Sequence, residues 1–347
     1  MTSKERVINA IRRKPVDRIP RYFWIGEGAA KNINNEYNIP ISEVDAFVGN
    51  DIMQPWLSIN KQMARPCEPG EQFVDEWGIT WQREGLYNAA VKHPLQDLDV
   101  AEIASYPFPD PDDESRYDEL REMLAKYGDE FFIGADVSGT LFEPAYHMRT
   151  MENLMIDMAV ESEEADILLD RLCDFSKRVA LKAVDMGVDW VWLGDDMGTQ
   201  ISMLMQPDMW RKYFKPRMKE IIDALRDRRA DIIVAYHSCG SIYPIIGDLA
   251  EIGIDVLNPL QESANEMEHE KIKQQYGDQL TFFCGLDTQT YLLSADPVDA
   301  AQKMKQKVEL LAKGGGYIAG VSHTLQQDVP AATVMAMAKA LDGPCEN

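Results

Sequence analysis

The segment Tyr236-His237-Ser238-Cys239-Gly240 carries the sharpest chemical signal in the chain. In extended backbone, residues i and i+2 point the same way, so His237 and Cys239 present an imidazole and a thiol on one side. That pair suits Zn2+, which takes nitrogen and sulfur ligands tetrahedrally. Gly240 lets the backbone turn sharply after it. A catalytic zinc needs a third protein ligand and an open position, and His323 and Cys284 are the candidates. Cys284 also reads as a small buried core residue. Chance His-x-Cys pairs are common. This one follows an apolar run in a chain with 5 His and 5 Cys.

Apolar runs of the same kind recur at 19–26, 46–51, 131–138, 190–195, 232–237, 256–260, 280–286 and 316–321. Amphipathic stretches of helical period lie between most of them, for example 151–186, 207–228 and 297–313. Continuous apolar strands alternating with helices imply parallel strands buried on both faces. Eight of them predict a single (β/α)8 TIM barrel filling one domain, 1–347. Alternating residues at 72–83 read as a small inserted β-hairpin. An open doubly wound sheet is the alternative, but no Gly-x-Gly-x-x-Gly turn follows a strand. Barrel chemistry sits at the carboxyl ends of the strands. Those ends carry Glu27, Asp51, Asp136, Asp195 with Asp196, His237 with Cys239, Gln261, Asp287, and Ser322 with His323. Polar residues begin loops everywhere, so each is also a plain loop start. A barrel would bring all eight sets to one mouth.

Composition narrows the partners. With 35 Lys+Arg against 58 Asp+Glu, the net charge is -23. A nucleic-acid binder needs a basic face, and anionic lipid repels such a chain, so neither nucleic acid nor membrane is expected. No apolar run approaches the roughly 18 residues of a membrane span. The start Met-Thr-Ser-Lys-Glu-Arg-Val has no apolar signal core, and the cytoplasm is the expected location. An odd number of cysteines is no disulfide scaffold, and Cys67, Cys173 and Cys345 read as incidental.

Several motifs resemble the uroporphyrinogen-decarboxylase-like superfamily. They are Lys-Glu-Arg-Val-x-x-Ala-Ile and Pro-Val-Asp-Arg-Ile-Pro within 1–20, and Gly-Thr-Leu-Phe-Glu-Pro-Ala-Tyr at 139–146. Gly-Asp-Asp-Met-Gly-Thr-Gln at 194–200, His-Ser-Cys-Gly-Ser-Ile at 237–242 and Gly-Leu-Asp-Thr-Gln at 285–289 follow in family order. The resemblance implies the same barrel and two possible chemistries. One is cofactor-free decarboxylation of uroporphyrinogen; the other is zinc-dependent methyl transfer to or from a corrinoid protein. The decarboxylases hold substrate carboxylates with an Arg-Gln-Ala-Gly-Arg segment. Here Arg21-Tyr-Phe-Trp-Ile-Gly-Glu-Gly stands in its place, and Glu27 would repel such a substrate. Asp51 in Gly-Asn-Asp does resemble the decarboxylases' aspartate.

The methyltransferases bind zinc through His-x-Cys and a later Cys. His237 and Cys239 match the first two, whereas Gly320-Val-Ser-His-Thr stands where the later Cys belongs, so His323 is the expected third ligand. The resemblance therefore implies a methyltransferase of the corrinoid-dependent, O-demethylase-like kind. Its partners would be a small methyl donor or acceptor and a separate protein supplying the corrinoid (cobalamin), since one barrel uses up 347 residues. In that reading Asp51, Asp195, Asp196 and Tyr146 are catalytic, and Glu27, Asp136, Gln261 and Asp287 contact substrate. A decarboxylase, or a non-catalytic corrinoid- or tetrapyrrole-binding barrel, are the alternatives.

Overall fold

The computed structural model describes residues 1–63, 65–85, 87–289, 291–293 and 296–343. Among these residues ten strands follow one another: β1 Ile52–Met53, β2 Gln72–Val74, β3 Thr80–Glu84, β4 Tyr87–Lys92, β5 Phe132–Asp136, β6 Trp190–Gly194, β7 Ile233–His237, β8 Val256–Asn258, β9 Thr281–Leu286 and β10 Tyr317–Val321. Seven form one sheet in the order β1-β5-β6-β7-β8-β9-β10, and every pair is parallel. β5, β6, β7, β9 and β10 are buried along their whole length. That burial is why their sequences read as unbroken apolar runs. β2, β3 and β4 form a separate antiparallel sheet, in which β2 and β3 pair over the expected hairpin and β4 adds a third strand.

The first two expected strands come out differently. Segment 19–26 makes only isolated bridges, Arg21 with Ala319 and Ile25 with Leu325. Its backbone bonds β10 on one side, Tyr22 N–H donating to Ala319 O at 2.9 Å. On the other side Asp51 N–H donates to Arg21 O at 2.8 Å. Pro20 has no N–H to give to a ladder. The Asn50 side chain takes a neighbouring strand's place at Phe23, accepting from its N–H at 2.8 Å and donating to its C=O at 2.9 Å. Residues 46–51 are not a strand. Val44–Val48 is a helix that buries Val44 and Val48 one turn apart and stops at Gly49. The strand begins only at Ile52, so Asp51 stands just before β1 instead of ending a strand.

That shift moves Asp51 to the opposite end of the sheet. The helix Ser3–Ile11 closes this amino-terminal end. Its Val7 and Ile11 pack with Ile52, Phe132, Trp190, Ile233, Val256, Phe283 and Ile318 from the strands. Gly316 N–H, just before β10, donates to Ala10 O at 3.0 Å. Asp51 is fully buried beneath this plug. It accepts from Ser3 Oγ at 2.7 Å, Arg6 Nη1 at 2.7 Å, Arg18 Nη1 at 2.7 Å, Arg18 Nη2 at 2.9 Å and Arg21 N–H at 2.9 Å. Every oxygen of the carboxylate is committed to holding the N-terminal segment. This corrects the expectation of a catalytic Asp51.

Asp51→Asn should therefore act on stability. It leaves two arginines without their shared anion, at a cost of roughly 3 kcal/mol. Urea unfolding should show a lower midpoint with an unchanged slope. A variant of unaltered stability that loses only activity would return Asp51 to a catalytic role.

Candidate functional site

The site is built where β6, β7 and β8 end, side by side. Gly194 faces His237 across one pair and His237 faces Asn258 across the next. After β6 the dipeptide Asp195-Asp196 splits. Asp195 is fully buried and accepts from the N–H groups of Leu141 and Glu143, each at 3.0 Å. It thereby holds the start of the helix Phe142–Arg149. Burial pushes its pKa up to about 7, against those N–H bonds and with the Asp196 charge adding to the rise. Asp196 faces the mouth and accepts from Cys239 N–H at 2.7 Å. Burial would raise its pKa, but the bond and charge of His237 dominate and hold it at about 2.

His237 is oriented by a residue absent from the expected set. Asn258, the last residue of β8, donates from Nδ2 to Phe283 O at 2.9 Å. Its Oδ1 therefore faces His237 Nδ1, 2.7 Å away, which must carry a hydrogen. The other ring nitrogen, Nε2, lies 3.5 Å from Cys239 Sγ and 3.5 Å from Asp196 Oδ1. Trp192 stacks on the ring at 6.0 Å and Trp24 meets it edge-on at 5.8 Å. Burial disfavours the imidazolium, yet Cys239 and the Asp196 carboxylate outweigh it and raise the His237 pKa well above its ordinary value. Burial, with the Asp196 charge, pushes the Cys239 thiol up to about 11. Gly240 has φ 81, and a Cβ there would lie 2.3 Å from Gly198 C. The turn after Cys239 thus brings the loops following β6 and β7 into backbone contact.

Ligand atoms of Asp196, His237 and Cys239 all lie within 4.8 Å of one another. Oxygen, nitrogen and sulfur donors at a strand-end mouth fit Zn2+. His323 is outside this group. Its ring centroid is 6.4 Å from that of His237, and it stacks on Trp24. Burial and the nearby His237 lower its pKa. His323 and the triad residues Asp196 and Cys239 line one cavity of about 310 Å3. Three amides run across that cavity. Gln200 Nε2 donates to Gln289 Oε1 at 2.8 Å, Gln261 Nε2 approaches the same oxygen at 3.3 Å, and Gly240 N–H donates to Gln261 Oε1 at 2.7 Å. Gln200 and Gln289 were not among the expected residues. Each ends a strand-end motif, Gly-Asp-Asp-Met-Gly-Thr-Gln or Gly-Leu-Asp-Thr-Gln, and that position was the available signal.

Of the remaining expected residues, Asp136 and Tyr146 lie near enough to feel the charges of His237 and Asp196, whereas Glu27 and Cys284 stand apart. Asp136 ends β5 and is fully buried, accepting from Ser138 N–H and Oγ and from Gln54 Nε2. Burial pushes its pKa up to about 6. Tyr146 is half-buried, and burial followed by the charges of Glu143, Asp196 and Asp195 raises its pKa. Asp287 takes its hydrogen bonds within its own loop, from Tyr291 N–H and Gln289 N–H at 3.3 Å, besides Ser263 Oγ. Glu27 begins the exposed face of the helix Glu27–Tyr37 and pairs with Lys31 at 2.6 Å, so it does not reach the cavity. Cys284 is a core residue of β9, its thiol pushed up to about 12 by burial. Cys345 lies outside the described residues. Among those residues no helix is long and apolar enough to cross a membrane.

A family model described as Uroporphyrinogen decarboxylase (URO-D) matches residues 81–343. The methylcobamide:CoM methyltransferase MtbA of Methanosarcina acetivorans is 22% identical over 341 residues, 91% of this chain and 93% of that protein. MtbA of Methanosarcina mazei is 22% identical over 277 residues, 74% of this chain and 76% of that protein. Among solved structures, a methyltransferase from Methanosarcina mazei superposes with a TM-score of 0.74 at 17% identity, covering 99% of this chain and 98% of that one. The structural likeness bears on the fold.

In metal-free protein, iodoacetamide should modify Cys239 slowly. The rate should still rise about tenfold per pH unit near pH 9, because the thiolate is the reacting form. Peptide mass spectrometry resolves Cys239 from the other thiols. A rate that levels off near the ordinary thiol pKa of about 8.5 would contradict the environment described.

Proposed function

The chain belongs to the uroporphyrinogen decarboxylase (URO-D) family, and we propose that it is a zinc-dependent methyltransferase within it. The methyl group would move between a small methylated substrate or acceptor and a corrinoid carried by a separate protein. The observation that carries this reading is the convergence of Asp196, His237 and Cys239 at adjoining strand ends. The named methyltransferases among its relatives support the same reaction class. The proposal includes a closed (β/α)8 ring in which segment 19–26 stands as the eighth strand.

Zinc, when bound, supplies Lewis acidity that activates a thiol or phenol acceptor at neutral pH, or stabilises a departing oxyanion in the reverse direction. His237 Nε2, Cys239 Sγ and an oxygen of Asp196 would hold it. Asn258 fixes the His237 ring so that Nε2, and not Nδ1, is the free donor, as a partner behind a ligating histidine does. The third position thus passes from His323 to Asp196. His323 is left neutral at the cavity wall, where it can take the proton that an acceptor gives up. Gln200, Gln261 and Gln289 offer amide hydrogen bonds to orient a polar substrate. Among the described residues no Lys or Arg lines the cavity, so a carboxylate or sulfonate finds no ion pair there. The decarboxylase alternative leaned on Asp51, which is spent on Arg6 and Arg18 at the far end of the sheet.

Elemental analysis of the purified chain should find about one zinc per chain. Cys239→Ser and Asp196→Ala should lose it without unfolding, whereas His323→Ala should keep it. Asn258→Ala should weaken binding by roughly 10–100-fold. In the metal-free site His237 and Cys239 both carry a proton at neutral pH, so uptake should release about two protons, and affinity should fall as pH falls. Buffer-dependent calorimetry measures that release. Zinc-exposed wild-type protein that carries none would defeat the reading.

A further inference from the structure

At the amino-terminal end of the sheet, opposite the triad, lies a groove of about 1080 Å3. Among the described residues five cationic side chains line it, Arg13, Lys14, Lys305, Lys313 and Lys339, against one carboxylate, Glu309. This is a reversal in a chain of net charge -23. Elsewhere Lys177 and Lys215 each engage two carboxylates. Among the described residues the four lysines of the groove have no ion-pair partner. Between the cations the groove exposes apolar surface from Pro15, Val308 and Ala312, over the buried Ile19 and Leu341.

Part of this charge answers the fold itself. Three helices, Ser3–Ile11, Pro297–Leu311 and Ala331–Ala340, end beside the groove. Each helix end presents roughly half a negative charge. Against a net of four positive charges among the lining residues, the three ends leave more than two unanswered. Arg13 is anchored, donating to Gly277 O at 2.7 Å and Leu280 O at 3.0 Å, and so fixes one wall. The lysines are free to turn toward a ligand.

We propose that this groove binds a phosphate ester with an apolar body. A phosphate monoester carries about -1.5 to -2 charges at neutral pH, which matches the residual field. Lysines act on phosphate as point charges and need no fixed fork geometry. The apolar surface accommodates the rest of the molecule, and the volume is that of a small-ligand site. The site is separate from the triad and does not depend on zinc or methyl transfer.

The test is calorimetric titration of the zinc-free full chain with ATP, dodecyl phosphate and inorganic pyrophosphate. Salt is kept at about 0.15 M, where the screening length is about 8 Å. At least one of the two esters should bind saturably at one site per chain, and more tightly than pyrophosphate. ATP alone would mark the source as a nucleotide, dodecyl phosphate alone as a lipid-derived phosphate. The double variant Lys305→Gln, Lys339→Gln should weaken binding about tenfold. Lys219→Gln, which removes a lysine paired with Asp223 elsewhere, should leave it unchanged. No saturable binding of either ester, binding that survives the double substitution, or pyrophosphate binding as tight as either ester would overturn the proposal.

Discussion

The bond between His237 Nδ1 and Asn258 Oδ1, 2.7 Å long, is the constraint on which the site depends. It exists because the two residues are register partners at the ends of neighbouring parallel strands. Asn258 is in turn pinned to the backbone of the next strand through Phe283 O. Three strands therefore fix one imidazole. A slip of one residue in β7 or β8 would turn the side chains to the other face and dissolve the arrangement. The buried apolar runs that set the register are thus part of the chemistry.

Once the ring is fixed, the same dipeptide serves two ends. Asp195 turns inward and becomes the anchor of a helix start, while Asp196, one residue later, turns to the mouth and meets Nε2 and the Cys239 amide. Identical side chains acquire opposite tendencies, one pushed up by burial and one held down by His237. Trp24 and Trp192 enclose the His237 ring, while Asp196 and Cys239 face the cavity.

The sequence was legible where burial on both faces leaves a continuous apolar run. β5, β6, β7, β9 and β10 fall inside the expected runs because nothing polar can interrupt them. It misled where an apolar run is helical. Val44–Val48 is too short to show a period, and the error carried Asp51 to the wrong end of the sheet. Glu27 failed for a related reason, since it begins a helix and turns outward to pair with Lys31. His237 and Cys239 were visible because their spacing is local. Asp196 as the partner that closes the group, Asn258 behind the ring, and Gln200 meeting Gln289 are long-range pairings, which no local pattern encodes.

Zinc K-edge X-ray absorption on the zinc-loaded chain tests the central claim most directly, because it counts the ligand types that Asp196, His237 and Cys239 would supply. The account predicts one sulfur at about 2.3 Å, with the other ligands nitrogen and oxygen at about 2.0–2.2 Å. A shell with two or more sulfurs, or with none, would contradict it.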